Sequence, residues 1–145
     1  MRPHLEHASP LWDLWMDKHI KQIEAVQRRS VPFIKSRWET TPGTVTNLLN
    51  DLDWPTLQHQ RKIARHTLFH KAIHGESALE FPSYIERHNH PLRSPHNDRF
   101  IELRPRAEAY RNSFNCRTLK EWNSLPSNVL DIEKTQLFQK ALRLD

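Results

Sequence analysis

The stretch SFNCRTLKEWNSLP, Ser113–Pro126, holds a lone cysteine, several hydroxyls and a tryptophan, and a proline closes it. Its spacing is that of a short capped helix. Ser113 or Asn115 can supply the N-cap oxygen, and Phe114, Thr118 and Trp122 follow at intervals of four. Leu119 joins that face, Arg117 and Glu121 can pair on the outside, and Pro126 forces Leu125 out of helical space. Cys116 has no base beside it to generate a thiolate, so it reads as a buried or idle thiol. The segment is therefore expected to be structural, with Trp122 as its anchor and Phe114 and Leu119 beside it.

The partner for that face is the strongest helical pattern in the chain. Thr56 caps it after the break at Trp54-Pro55, it runs to about His74, and Gly75 supplies a left-handed C-terminal cap. Upstream, Trp12 to Trp38 shows Ile20, Ile23, Val26, Ser30 and Phe33 at helical spacing, and Pro32 is expected to kink or end that helix near Ser30. Thr44 can cap a short helix through Leu52, burying Val45, Leu48, Leu49 and Leu52. Phe81 to Asp98, with Pro82, Pro91 and Pro95, reads as a loop, and Phe100–Arg104 as one short extended segment. Ile132, Leu137, Phe138, Ala141 and Leu142 mark a last amphipathic helix. The fold class is all-α, a small irregular helical bundle with proline-bearing loops and at most one short strand.

Composition agrees. A chain of 145 residues is one domain or less, and only two glycines are present to turn β-strands. Apolar residues make up 37%, below the usual roughly 45–50%, so the core must draw on five Trp and six Phe as well as Leu and Ile. No apolar run approaches the roughly 20 residues of a membrane span, and a single cysteine suits a reducing compartment, cytoplasm or nucleus.

The net charge of +5 is a mild bias towards phosphate partners, and its distribution says more. Thr56 to Gly75 contains Arg61, Lys62, Arg65 and Lys71, four histidines and no acid. Between Lys71 and Lys120 every basic residue is arginine: Arg87, Arg93, Arg99, Arg104, Arg106, Arg111 and Arg117. Guanidinium forks suit phosphates and stack on bases. Basic residues also interleave with aromatics at Arg37-Trp38, Arg65 near Phe69, Arg99-Phe100 and Tyr110-Arg111. The alternative is a solvated basic surface.

His59, His66, His70 and His74 share one helical face, and His66 with His70 has the spacing to share a zinc ion. HExxH is absent and no cysteine pair helps, so a polar, partly solvated face is the competing reading. No glycine-rich phosphate loop, GxSxG or paired-carboxylate spacing occurs, so no catalytic residue and no cofactor are assigned.

Four phrases in one order carry a resemblance: RPHLEHASPLWD (Arg2–Asp13), IKQIEAVQRRS (Ile20–Ser30), LNDLDWPTLQHQRKIAR (Leu49–Arg65) and SFNCRTLKEWNSLP. Together they resemble the region after the polymerase domain in reverse transcriptases of non-LTR retrotransposons, especially jockey-like elements. That family shows phrases like RPxLEYAsxxWdP, LExVQRR, LgWxtLxxRR and SFfxRtixdWNxLP. The resemblance spans about Arg2 to Arg143. His7, Leu14, Pro32, Asp53 and His59 depart from it; Asp53 stands where glycine is common, and His59 where a glutamate would complete a capping box with Thr56.

The resemblance implies a truncated thumb-like helical segment at 1–38 and the helical C-terminal region of the enzyme at 39–145. The family's metal-binding aspartates, of a Tyr-Ala-Asp-Asp-type turn, match no position here, so the implied reading is a catalytically incomplete C-terminal fragment. Its partners would be RNA or an RNA–DNA hybrid and the missing polymerase domain. Arg61, Lys62, Arg65, Arg99, Arg104, Arg106, Arg111 and Arg117 are the candidate contacts, with Trp54, Phe114, Leu119 and Trp122 as structural anchors. A non-functional remnant and a host-co-opted helical interaction module are the alternatives.

Overall fold

The computed structural model describes residues 9–10, 14–35, 43–78, 80, 82–87 and 99–143, and among them the chain is all-α. Seven helices follow in order among the described residues: α1 Asp17–Lys35, α2 Thr44–Asp51, α3 Leu57–Ile73, α4 Glu108–Arg111, α5 Phe114–Asn123, α6 Ser127–Leu130 and α7 Thr135–Leu142. The extended segment expected at Phe100–Arg104 is only a single antiparallel bridge between Arg87 and Phe100. The chain forms two compact units, Met1–Lys62 and Ile63–Asp145, and the division falls within α3. Most of the phrase Arg2–Asp13, the pair Arg37-Trp38 and the stretch 88–98 lie outside the described residues.

In the first unit, α1 packs on α2, and Ile20, Val31, Leu48 and Leu57 are the buried apolar residues. Two readings of α1 need correction. Pro32 does not end it; the helix continues to Lys35. Near the C-terminal end, the proline removes one ladder donor, and the Ser30 hydroxyl donates to the Gln27 carbonyl (2.7 Å) beside that gap. The buried stripe is also rotated. Ile20, Gln27 and Val31 face inward, whereas Val26 and Phe33 are exposed, Phe33 at 67%. Gln27 belongs inside because its amide donates to the Pro55 carbonyl (3.3 Å).

Glu24, on the same stripe, gives the first turn of α3 a carboxylate acceptor that His59 does not supply. Its carboxylate accepts the Gln58 N–H (2.8 Å) while the Thr56 hydroxyl accepts the His59 N–H (3.2 Å). An acid thus meets the positive end of α3 from another helix.

Helices α2 and α3 end alike. Beyond α3, Gly75 (φ 69°) lets the Glu76 N–H reach the Lys71 carbonyl (2.8 Å). Beyond α2, the same wrap puts the Trp54 N–H on the Leu49 carbonyl (3.0 Å), but the left-handed residue is Asp53 (φ 48°). Asp53→Gly should therefore stabilise the protein by about 0.5–1 kcal/mol, read as a raised denaturation midpoint. A lowered midpoint contradicts this account of the turn.

The second unit is built around α5. Ile63, Phe69, Phe100, Leu119, Trp122, Leu125, Val129, Leu130, Phe138 and Leu142 form one buried cluster. Trp122, 1% exposed, meets Phe69 edge-on (5.0 Å between centroids) and Phe138 (5.5 Å). Its neighbours in sequence work on either side of it. Glu121 takes Arg65, and the Asn123 side chain brackets the Phe100 backbone, accepting its N–H (3.0 Å) and donating to its carbonyl (2.8 Å). That bracket seats Phe100 against Phe69 (5.4 Å). Leu119 is fully buried, Phe114 and Trp54 are half-buried, and Cys116 is buried. Ser113 is the N-cap residue of α5, but its side chain makes no capping bond. On α7, Phe138 and Leu142 are buried and Leu137 is exposed.

Candidate nucleic-acid interface

Helix α3 carries two of the basic residues expected at the surface inside the fold. Arg61 and Arg65 are each 1% exposed, so they cannot present a guanidinium to a phosphate in this fold; Lys62 between them is exposed. Arg65 pairs with Glu121. Glu121 also accepts from Arg117 Nε (3.3 Å), and His66 Nε2 lies 3.8 Å from it. Burial raises the pKa of Glu121, but Arg65, His66 and Arg117 outweigh it and the net direction is down. This cluster is an internal electrostatic knot, and it draws Arg117 away from a role as an open contact.

The histidine stripe is buried at its centre and solvated at its ends. His66 and His70 are fully buried, His59 is half-buried and His74 exposed. The pair is not poised to share a metal, because both His70 nitrogens are engaged: Nε2 with the Ile132 carbonyl (2.7 Å), Nδ1 with the Thr135 hydroxyl (3.1 Å). The described residues hold no group of three or more metal-ligating side chains.

His70 sits between Phe138 (4.4 Å, stacked) and His74 (4.3 Å). Proton counting constrains its state. The Ile132 carbonyl only accepts, so Nε2 carries hydrogen. Thr135 has one hydroxyl hydrogen, and its bond to Glu76 (2.7 Å) uses it. With that bond made, Nδ1 must donate and the ring is an imidazolium. Burial opposes the charge and lowers the pKa, with His74 acting the same way, while the Ile132 bond and Glu76 oppose them. In the neutral ring the Thr135 hydroxyl turns to Nδ1, and exposed Glu76 is left to water.

A pH dependence follows from these directions. Below the ordinary 6.5 of histidine, the unfolded chain binds a proton before His70 does, so stability falls with pH through that window. Glu121 is held below its ordinary 4.5, so its contribution is complete above that value and is lost as pH drops through the folded value. Denaturant melts at decreasing pH should show two stages of loss, and His70→Gln should remove the upper one. Stability that stays flat on acidification below 6.5 contradicts this assignment.

The remaining candidates lie around α4. Arg104, Arg106 and Arg111 are exposed, and Arg99 is half-buried. Of the aromatic–basic pairs picked from sequence, Phe69 and Phe100 are buried, and Tyr110-Arg111 is open to solvent on both residues. Tyr84, which the sequence did not single out, joins it. Its hydroxyl accepts from Asn115 Nδ2 (2.8 Å), and its influence first, with slight burial behind it, raises the Tyr110 pKa. Tyr84 and Asn115 carry no local signal for this contact: they lie 31 positions apart along the chain.

Comparison with protein-family models, with curated proteins and with solved structures finds no match to this chain.

Proposed function

We propose that this chain is the helical region that follows the polymerase domain of a jockey-like, non-LTR-retrotransposon RNA-directed DNA polymerase, binding RNA or RNA–DNA hybrid and contributing no catalytic group. The four ordered phrases support the family reading, and they belong to a region outside the polymerase domain. One structural observation supports the binding reading above the rest. Arg104, Arg106 and Arg111 all stand open to solvent within one short segment, while the knot around Glu121 keeps Arg65 and Arg117 for the fold. Contacts of this kind go to phosphates and are tolerant of sequence.

The test is binding of a labelled RNA–DNA hybrid by the purified chain and by its Arg104→Gln/Arg106→Gln/Arg111→Gln variant. The parent should bind at low salt and the variant much more weakly. Equal binding by the two refutes the assignment.

A second reading, a helical protein-interaction module, is favoured by α1. Val26 and Phe33, seven residues apart, leave an apolar edge in solvent, with Trp15 exposed just before the helix. Phe33→Ser would leave hybrid binding intact and weaken only protein association.

A further inference from the structure

We propose that Tyr84 and Tyr110 form a stacking platform for unpaired bases of single-stranded RNA. This deepens the reading above and rests on it. The rings are 46% and 45% exposed, unlike the other aromatic residues of this unit's core. The polar end of Tyr84 is occupied, since Asn115 Nδ2 donates to its hydroxyl. Ring surface therefore faces solvent at both residues, and at Tyr84 it is already oriented by that hydrogen bond. A π-face held in place binds a base at little further cost in side-chain entropy.

Charge selects the partner. From residue 99 to 111 there are four arginines, Arg99, Arg104, Arg106 and Arg111, against Glu102 and Glu108. Arg111 adjoins Tyr110 in α4, and Arg106 precedes it by four residues. Tyrosine faces flanked by guanidinium groups match a strand whose bases are unstacked and whose phosphates run alongside. A perfect duplex offers phosphates but no free base face.

The test uses labelled oligoadenylate RNA and a fully paired RNA–DNA hybrid, with each variant's fold checked by its thermal melt. Tyr110→Ala and Tyr84→Ala should each weaken oligoadenylate binding about tenfold and leave hybrid binding unchanged. Tyr110→Phe, which keeps the ring, should bind like the parent, whereas Tyr110→Leu, which keeps only apolar bulk, should lose as much as alanine. If the tyrosine variants bind oligoadenylate like the parent while the arginine variant loses both ligands, the platform is refuted and the phosphate-binding reading stands. If Tyr110→Leu retains binding, stacking is refuted as its basis. If the parent binds neither ligand, both readings fall.

Discussion

Trp122→Ala is expected to destabilise the protein by about 3–5 kcal/mol, enough to unfold a marginal domain. The indole fills the space between Phe69 and Phe138, and His70 lies 6.4 Å away on the same side. Alanine there leaves a cavity bounded by rigid rings, which collapse poorly. Cys116→Ser, at a position 7% exposed six residues earlier, should cost only about 1 kcal/mol, because a hydroxyl replaces a weakly polar thiol. Thermal or urea melts of the two variants separate anchor from bystander. A Trp122→Ala protein that melts like its parent would contradict the structural role of the segment.

Glu121→Gln should be the second most damaging change, costing about 3 kcal/mol. Arg65 remains buried when its carboxylate partner is neutralised, and the loss is mostly that of this ion pair. Replacing both residues, Arg65→Met with Glu121→Met, should recover much of the stability lost by either alone. A double-mutant cycle measures this coupling directly. Additive losses would show that Arg65 and Glu121 do not act as a pair. The same variants address RNA contact: Arg65→Met/Glu121→Met should bind hybrid as the parent does, since neither charge is presented to a phosphate.

What could be read from sequence was what is fixed locally. The ends of α3 were legible because Thr56 and Gly75 act on neighbouring backbone. The helical face of Phe114, Leu119 and Trp122 was legible from spacing, and the Arg117–Glu121 pair from its interval of four. Arg61 and Arg65 were misplaced because a basic residue on a helix looks solvated until its partner is known, and the acid for Arg65 is 56 residues away. The spacing Arg61, Arg65, Phe69 runs along a single helical face, and it was the apolar member that told the truth about that face. Gln27 hid the buried stripe of α1 in the same way, since its partner is the backbone at Pro55. Pro32 shows that a local breaker near a helix end yields to packing around Val31. Tyr84 was invisible because its hydrogen-bond partner, Asn115, is 31 residues away.

The most direct measurement of the central claim is the affinity of the purified chain for an RNA–DNA hybrid as a function of salt. Three exposed arginines engaging phosphates predict that the logarithm of the affinity falls linearly with that of salt concentration, with a slope of about −2 to −3. In the Arg104→Gln/Arg106→Gln/Arg111→Gln protein the slope should flatten towards zero. An affinity indifferent to salt, or a slope unchanged in that variant, would contradict the account.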